Sequence, residues 1–178
     1  MLRTVATPTI RRAFSWVEQG LRQPALTCGL LIVGIWVWHW PALYDLALTD
    51  DLIHDWCEHL LFIAVSLLFW SQIIPSPPLR PRLGLVGQML CVGFAIMQNV
   101  ALATLLGFAP GPLYAPYAHL AATTPNFTAL QDQQLGAGIM WTFGDVPLGI
   151  ALSILFHRWL ATQSSEGQVA VQVPRPTD

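Results

Sequence analysis

The chain contains no lysine, and only 10% of its 178 residues are charged. An ordinary soluble domain carries about 25% charged residues, so a water-soluble globule is excluded. The net charge of −2 leaves no basic field for nucleic acid, and no nucleic-acid partner is expected. Three cysteines, Cys28, Cys57 and Cys91, are too few for a disulfide framework. Disorder is excluded as well, because 54% of the residues are hydrophobic and disorder needs low hydrophobicity with high charge. What is abundant is apolar sequence, with a mean hydropathy of +0.52. These numbers describe a small integral membrane protein.

A helix needs roughly 20 mostly apolar residues to cross the hydrocarbon core. Residues 24–40, 52–74, 83–108 and 135–160 fit that requirement. The expected fold is therefore all-α, an integral membrane bundle of four transmembrane helices. All eight arginines lie on one side of this frame. Arg3, Arg11, Arg12 and Arg22 precede the first span, Arg80 and Arg82 lie between the second and third, and Arg158 and Arg175 follow the fourth. The positive-inside rule then puts both termini in the cytoplasm of a bacterial inner (plasma) membrane. Three regions follow: a basic amphipathic segment over 1–22, a transmembrane domain over 23–161 and a flexible cytoplasmic tail over 162–178. Trp36, Trp38, Trp40, Trp56 and Trp141 fall near the outer interface, with all three tyrosines (Tyr44, Tyr114, Tyr117) in the outer loops, as amphipathic rings at headgroups do.

The scarce polar side chains gather toward the outer side, where one shared pocket could hold them. His54-Asp55-Trp56-Cys57-Glu58-His59 is the densest run. On an α-helix, residues four apart share a face, which stacks His54 over Glu58 and Asp55 over His59. A carboxylate that takes one ring N–H fixes the tautomer of a metal-binding imidazole. Cys57 adds a soft donor suited to Cu(I). His39 lies on the same side, as do Asp132 and Met140; His119, in the second outer loop, is a weaker candidate. The competing reading is a row of polar residues wetting helix ends. Asp145 lies near the midplane of the fourth span, where an acid is costly and marks function by default. The alternative there is a neutral carboxyl bonded to Gln98 or Asn99 for packing. Residues 109–134 form a loop too long for a simple connector, read as a lid, and Thr128 with Gln131 is a capping pair for the helix that follows.

These motifs resemble a known family. Trp38-His39-Trp40-Pro41-Ala42-Leu43-Tyr44-Asp45-Leu46-Ala47-Leu48 is similar to the Trp-His-x-Pro-x-x-Tyr-Asp-x-Ala-Leu signature of the CtaG family, the cytochrome c oxidase assembly factors found with caa-type oxidases. His54 with Glu58-His59, Phe69-Trp70, Leu113-Tyr114 with Tyr117, and Asp132-Gln133 through Gly136, Gly138 and Met140-Trp141 resemble its later motifs. Gly144-Asp145-Val146-Pro147 resembles the Gly-acid-x-Pro variant of some members. The resemblance corresponds to the latter half of the family's domain and implies earlier helices lost or supplied by a partner.

The resemblance implies a non-enzymatic assembly factor that handles copper, as Cu(I), on the outer side. Candidate metal ligands are His39, His54, Cys57, His59 and Met140. Asp55, Glu58, Asp132 and Asp145 are expected to support them or carry protons. Implied partners are the oxidase subunits, a copper donor protein and the bilayer. Two other readings stand beside it: a scaffold or accessory subunit of an oxidase complex, and a haem-binding redox component ligated by His39 and His59.

Overall fold

The computed structural model describes residues 23–75, 81–117 and 128–172, with side chains through 164. The basic segment 1–22, His119, the centre of the expected lid (118–127) and the chain end (173–178) lie outside the described residues. Among the described residues all regular structure is helical.

Helix α1 (Pro24–Trp38) opens on a proline, which loses nothing in the first turn because its missing N–H would be unpaired there anyway. The helix stops because Pro41 forces the residue before it out of helical geometry; Trp40 is extended, at φ −67° and ψ 128°. Pro41 then opens α2 (Pro41–Thr49), bent 72° away from α1. The stretch between the first two expected spans, 41–51, is thus largely a short helix. Asp50 Oδ1 accepts from the N–H groups of Leu52 (2.9 Å) and Ile53 (3.2 Å), which starts the next element. That element is a π-helical turn, Ile53–Glu58, continuing directly as α3 (His59–Ile73). Ile74 is extended ahead of Pro75 and ends it.

Helix α4 covers Leu85–Gly107 and α5 covers Ala129–Gln172. The capping pair forms as the sequence suggests. Thr128 N–H donates to Gln131 Oε1 at 2.9 Å, and Gln131 N–H donates to Thr128 Oγ1 at 3.2 Å. Helix α5 runs through Pro147 and continues to Gln172, so most of the stretch expected as a loose tail from 162 is helix.

Three helical stretches, Ile53–Ile73, Leu85–Gly107 and Ala129–Ser164, are long and apolar enough to cross a membrane. The bent pair α1 and α2 makes a fourth when taken as one broken span. The protein is a membrane bundle. In lipid, helices associate through close packing and polar contacts, since lipid tails are as apolar as leucine. The core at one end joins Leu31 of α1, Val65 and Phe69 of α3, Val92 and Ala95 of α4 and Leu155 of α5. A second cluster, Leu102, Leu106, Tyr114 and Ala137, sits where α4 ends and α5 begins. Trp36 Nε1 donates to Gln98 Oε1 at 3.0 Å, tying α1 to α4. Cys28 and Cys91 form a disulfide between the same two helices, with Cα atoms 6.3 Å apart. The cysteines make no framework, yet two of the three are bridged, and Cys57 is free and exposed.

Candidate functional site

The C-terminal ends of α1 and α4 and the N-terminal ends of α3 and α5 meet at one end of the bundle, and most of the polar side chains collect there. They fall into three places rather than one pocket.

The first is the π-helical turn. In an α-helix a residue five positions on lies about 140° round the axis, so His54 and His59 would face different ways. Here the backbone N–H of His59 reaches the carbonyl of His54, the i→i+5 bond of a widened turn. That brings the two imidazole rings to 4.6 Å between centroids, edge to face. His54 Nδ1 lies 2.9 Å from Glu58 Oε2. His59 Nδ1 lies 2.7 Å from the His54 carbonyl oxygen. A carbonyl can only accept, so His59 carries its proton on Nδ1, and the same tautomer suits His54 against an ionised Glu58. Both Nε2 lone pairs are then available. One donor atom each from His54, Asp55 and His59 lie within 4.8 Å of one another. Asp55 is therefore beside the imidazoles as a possible ligand, while the His59 ring donates to backbone rather than to Asp55. Cys57, one residue before Glu58, is outside this group.

The second place is a half-open cavity of about 340 Å³, lined by His39, Tyr44, Tyr114, Tyr117, Asp132 and Met140 among others. His39 Nδ1 lies 2.8 Å from the Ile35 carbonyl, so this ring too donates from Nδ1 and keeps Nε2 open. Tyr44 and Tyr114 stack at 3.9 Å between centroids. The Tyr44 and Tyr117 hydroxyls are 3.2 Å apart. Tyr114 O–H donates to the His39 carbonyl at 3.2 Å. Burial, then the neighbouring Tyr117 and Asp45, push the Tyr114 hydroxyl up to about 12, so it stays a donor at any physiological pH. Gln133 straps the loop down: its Oε1 accepts from Leu113 N–H at 2.7 Å, and its Nε2 donates to the Leu106 carbonyl at 2.8 Å. The described part of the expected lid, through Tyr117, thus packs on the cavity. Glu58, on the π turn, is within electrostatic reach of Tyr44 on the cavity wall.

The third place is Asp145. Asn99 Nδ2 donates to Asp145 Oδ1 at 3.0 Å and to the Met140 carbonyl at 3.1 Å. Asp145 Oδ2 is buried and has no hydrogen-bond partner among the described residues. Of the two partners considered from sequence, Asn99 is the one in contact, and Gln98 is engaged by Trp36. Asp145 does not line the cavity.

Residues 1–162 match the family model described as cytochrome c oxidase caa3 assembly factor (Caa3_CtaG). The chain belongs to this family. No curated protein and no solved structure matches it.

In this caa3 assembly factor the motif residues explain one another spatially. The Trp38-His39-Trp40-Pro41 run is where the first helix breaks, and the break is what turns His39 and Tyr44 toward one cavity. Asp132, Gly136 and Met140, spaced four apart on α5, line its opposite wall. Gly144 leaves room for Asn99: a Cβ there would lie 3.1 Å from Asn99 Nδ2. The π turn and the Cys28–Cys91 bridge carry no signal in the sequence pattern. The strap role of Gln133 was visible only as part of the Asp132-Gln133 pair.

Proposed function

We propose that this caa3 assembly factor handles copper during maturation of the oxidase, without being an enzyme. The copper side of the membrane is the outer one, in a bacterial plasma membrane with both termini cytoplasmic. Orientation rests on the eight arginines and the positive-inside rule. The observation that carries the copper reading is the common state of three imidazoles. His39, His54 and His59 each engage Nδ1 with an oxygen acceptor, at 2.8, 2.9 and 2.7 Å. Among the described residues none of the three Nε2 atoms has a hydrogen-bond partner, as in ligating histidines when a neighbouring acceptor fixes the ring. A row of merely wetting histidines has no need of one shared tautomer. Met140, lining the same cavity as His39, is the soft donor that suits Cu(I). The oxidase subunits are the recipient, and a donor protein supplies the metal.

The test is a pair of single variants, His54→Ala and His59→Ala, in cells that make the oxidase. Both proteins should accumulate normally, since His59 and much of His54 are exposed and support little packing. Copper per oxidase and oxidase activity should fall together. Normal oxidase copper with normal abundance of both variants would leave the scaffold reading in its place.

A further inference from the structure

The π-helical turn has a donor set that points to a particular ion. Single π turns are rare and frequently sit at functional sites. This one has a specific chemical result: it brings His59 beside His54, which α-helical spacing would not do, while Asp55 stays in the same group. We infer that His54 Nε2, His59 Nε2 and an Asp55 carboxylate oxygen form a binding site for a divalent copper ion, Cu(II), at the aqueous end of α3, separate from the cavity that holds His39 and Met140. This rests on the copper reading above and names the form of the metal taken at this station.

The charge and hardness of the donors decide the form. Two imidazoles and a carboxylate are nitrogen and oxygen ligands, the set that suits Cu(II) in tetragonal geometry, whereas Cu(I) selects thiolate and thioether. The thiol nearest in sequence, Cys57, is not in the group. Divalent copper also stands at the top of the affinity order for such a site. Ligand atoms around a first-row ion at ~2.0–2.2 Å lie roughly 3–4 Å apart. One ring nitrogen of each histidine and an Asp55 oxygen are already within 4.8 Å of one another, so side-chain rotations suffice to bring the donors together. Glu58 is a positioning residue: it holds His54 Nδ1 at 2.9 Å and is itself mostly covered, at 12% side-chain exposure against 45% for His54. Three protein donors leave further copper positions for water, or for a group on the protein that gives or receives the metal. An exposed site of this kind is suited to exchange rather than storage.

The experiment uses the full chain, purified in detergent or nanodiscs. It is titrated with Cu(II) in air and, separately, with Cu(I) under anaerobic reducing conditions. The Cu(II) form is read by electron paramagnetic resonance and by the modulation from remote imidazole nitrogens. One equivalent of Cu(II) should give a tetragonal spectrum with two coordinated imidazoles. His54→Ala and His59→Ala should each remove one of them. Asp55→Asn should weaken Cu(II) at least as much as the ~10–100-fold typical of losing a supporting partner, and Glu58→Gln should fall within that range. Cu(I) affinity should be unmoved by Asp55→Asn. Should the wild-type protein bind only Cu(I), with His54 and His59 required and Asp55 irrelevant, the inference is overturned and the copper reading stands. If neither form of copper binds in a histidine-dependent way, both are overturned. The wild-type spectrum decides the ligand count even where a variant fails to fold.

Discussion

Asn99 joins α4 to α5 through one amide group, and its removal should have a cost that can be worked out in advance. The amide donates to Asp145 Oδ1 and to the Met140 carbonyl at 3.0 and 3.1 Å. Interhelical hydrogen bonds in membranes average about 0.6 kcal/mol and reach about 1.7. Two of them put Asn99→Ala at about 1–3 kcal/mol of lost stability. Gly144→Ala attacks the same contact from the other helix, because its new methyl would lie 3.1 Å from Asn99 Nδ2. The α4–α5 backbones are held by their own packing, so the amide is what gives way. Gly144→Ala should therefore cost a comparable amount in the wild-type background and close to nothing once Asn99 is alanine. A double-mutant cycle, measured by reversible unfolding in bicelles, should show coupling of about 1 kcal/mol or more, as expected for contacting residues. Strict additivity of the two costs would refute the shared-contact reasoning. Asp145→Asn completes the set. It keeps an acceptor for Asn99, so stability should hardly change. A stable Asp145→Asn protein that no longer supports oxidase maturation assigns the lost function to the ionisable carboxyl itself.

Two further outcomes are expected. Cys57, free and exposed at the polar end, should react with a membrane-impermeant maleimide in intact cells treated from outside, while Cys28 and Cys91 stay unlabelled until their bridge is reduced; labelling of Cys57 only after the membrane is opened would invert the topology and turn the histidines to the cytoplasm. Gln133→Leu strands the Leu113 N–H and the Leu106 carbonyl that Gln133 now satisfies, at about 1–3 kcal/mol for each buried group left unpaired; the loop over 108–117 should become open to proteolysis, and unchanged protection would show that the tyrosine stack holds it alone.

Length and apolarity are enough to read the membrane spans from the sequence, and Pro41 and Pro75 are enough to read where two helices stop, because a residue before proline is driven out of helical geometry whatever surrounds it. The Thr128–Gln131 cap is legible for the same reason: it is local. The candidate site is legible only as a composition. His54, Asp55, Glu58 and His59 stand out by type, yet their arrangement depends on one widened turn, and any argument from 3.6-residue spacing pairs Asp55 with His59 and separates the histidines. The choice of Asn99 over Gln98, the Cys28–Cys91 bridge and the division into three places depend on the register between helices far apart in the chain. The helical character of residues 41–49 is hard to read from sequence, because the segment is short and lies between two spans; its proline start is the one local sign of it.

The break after Trp38 has a consequence for the lipid. Helix α1 has 15 residues and at 1.5 Å per residue measures about 22 Å, well short of the ~30 Å hydrocarbon core. Such a deficit is hydrophobic mismatch, and a bilayer meets it by thinning locally or by letting flanking aromatic and polar groups reach for the interface. With Trp38, His39 and Trp40 at the short end, the leaflet on that side would be drawn inward around the break. Where α1 alone crosses, headgroups and water would lie deeper beside it than beside its neighbours, and the cavity lined by His39 would open at a dimple in the membrane. On the proposed orientation and copper role, a large periplasmic domain of another protein could reach that dimple without entering the hydrocarbon, and bilayer thickness itself would become a variable in how readily metal is exchanged there.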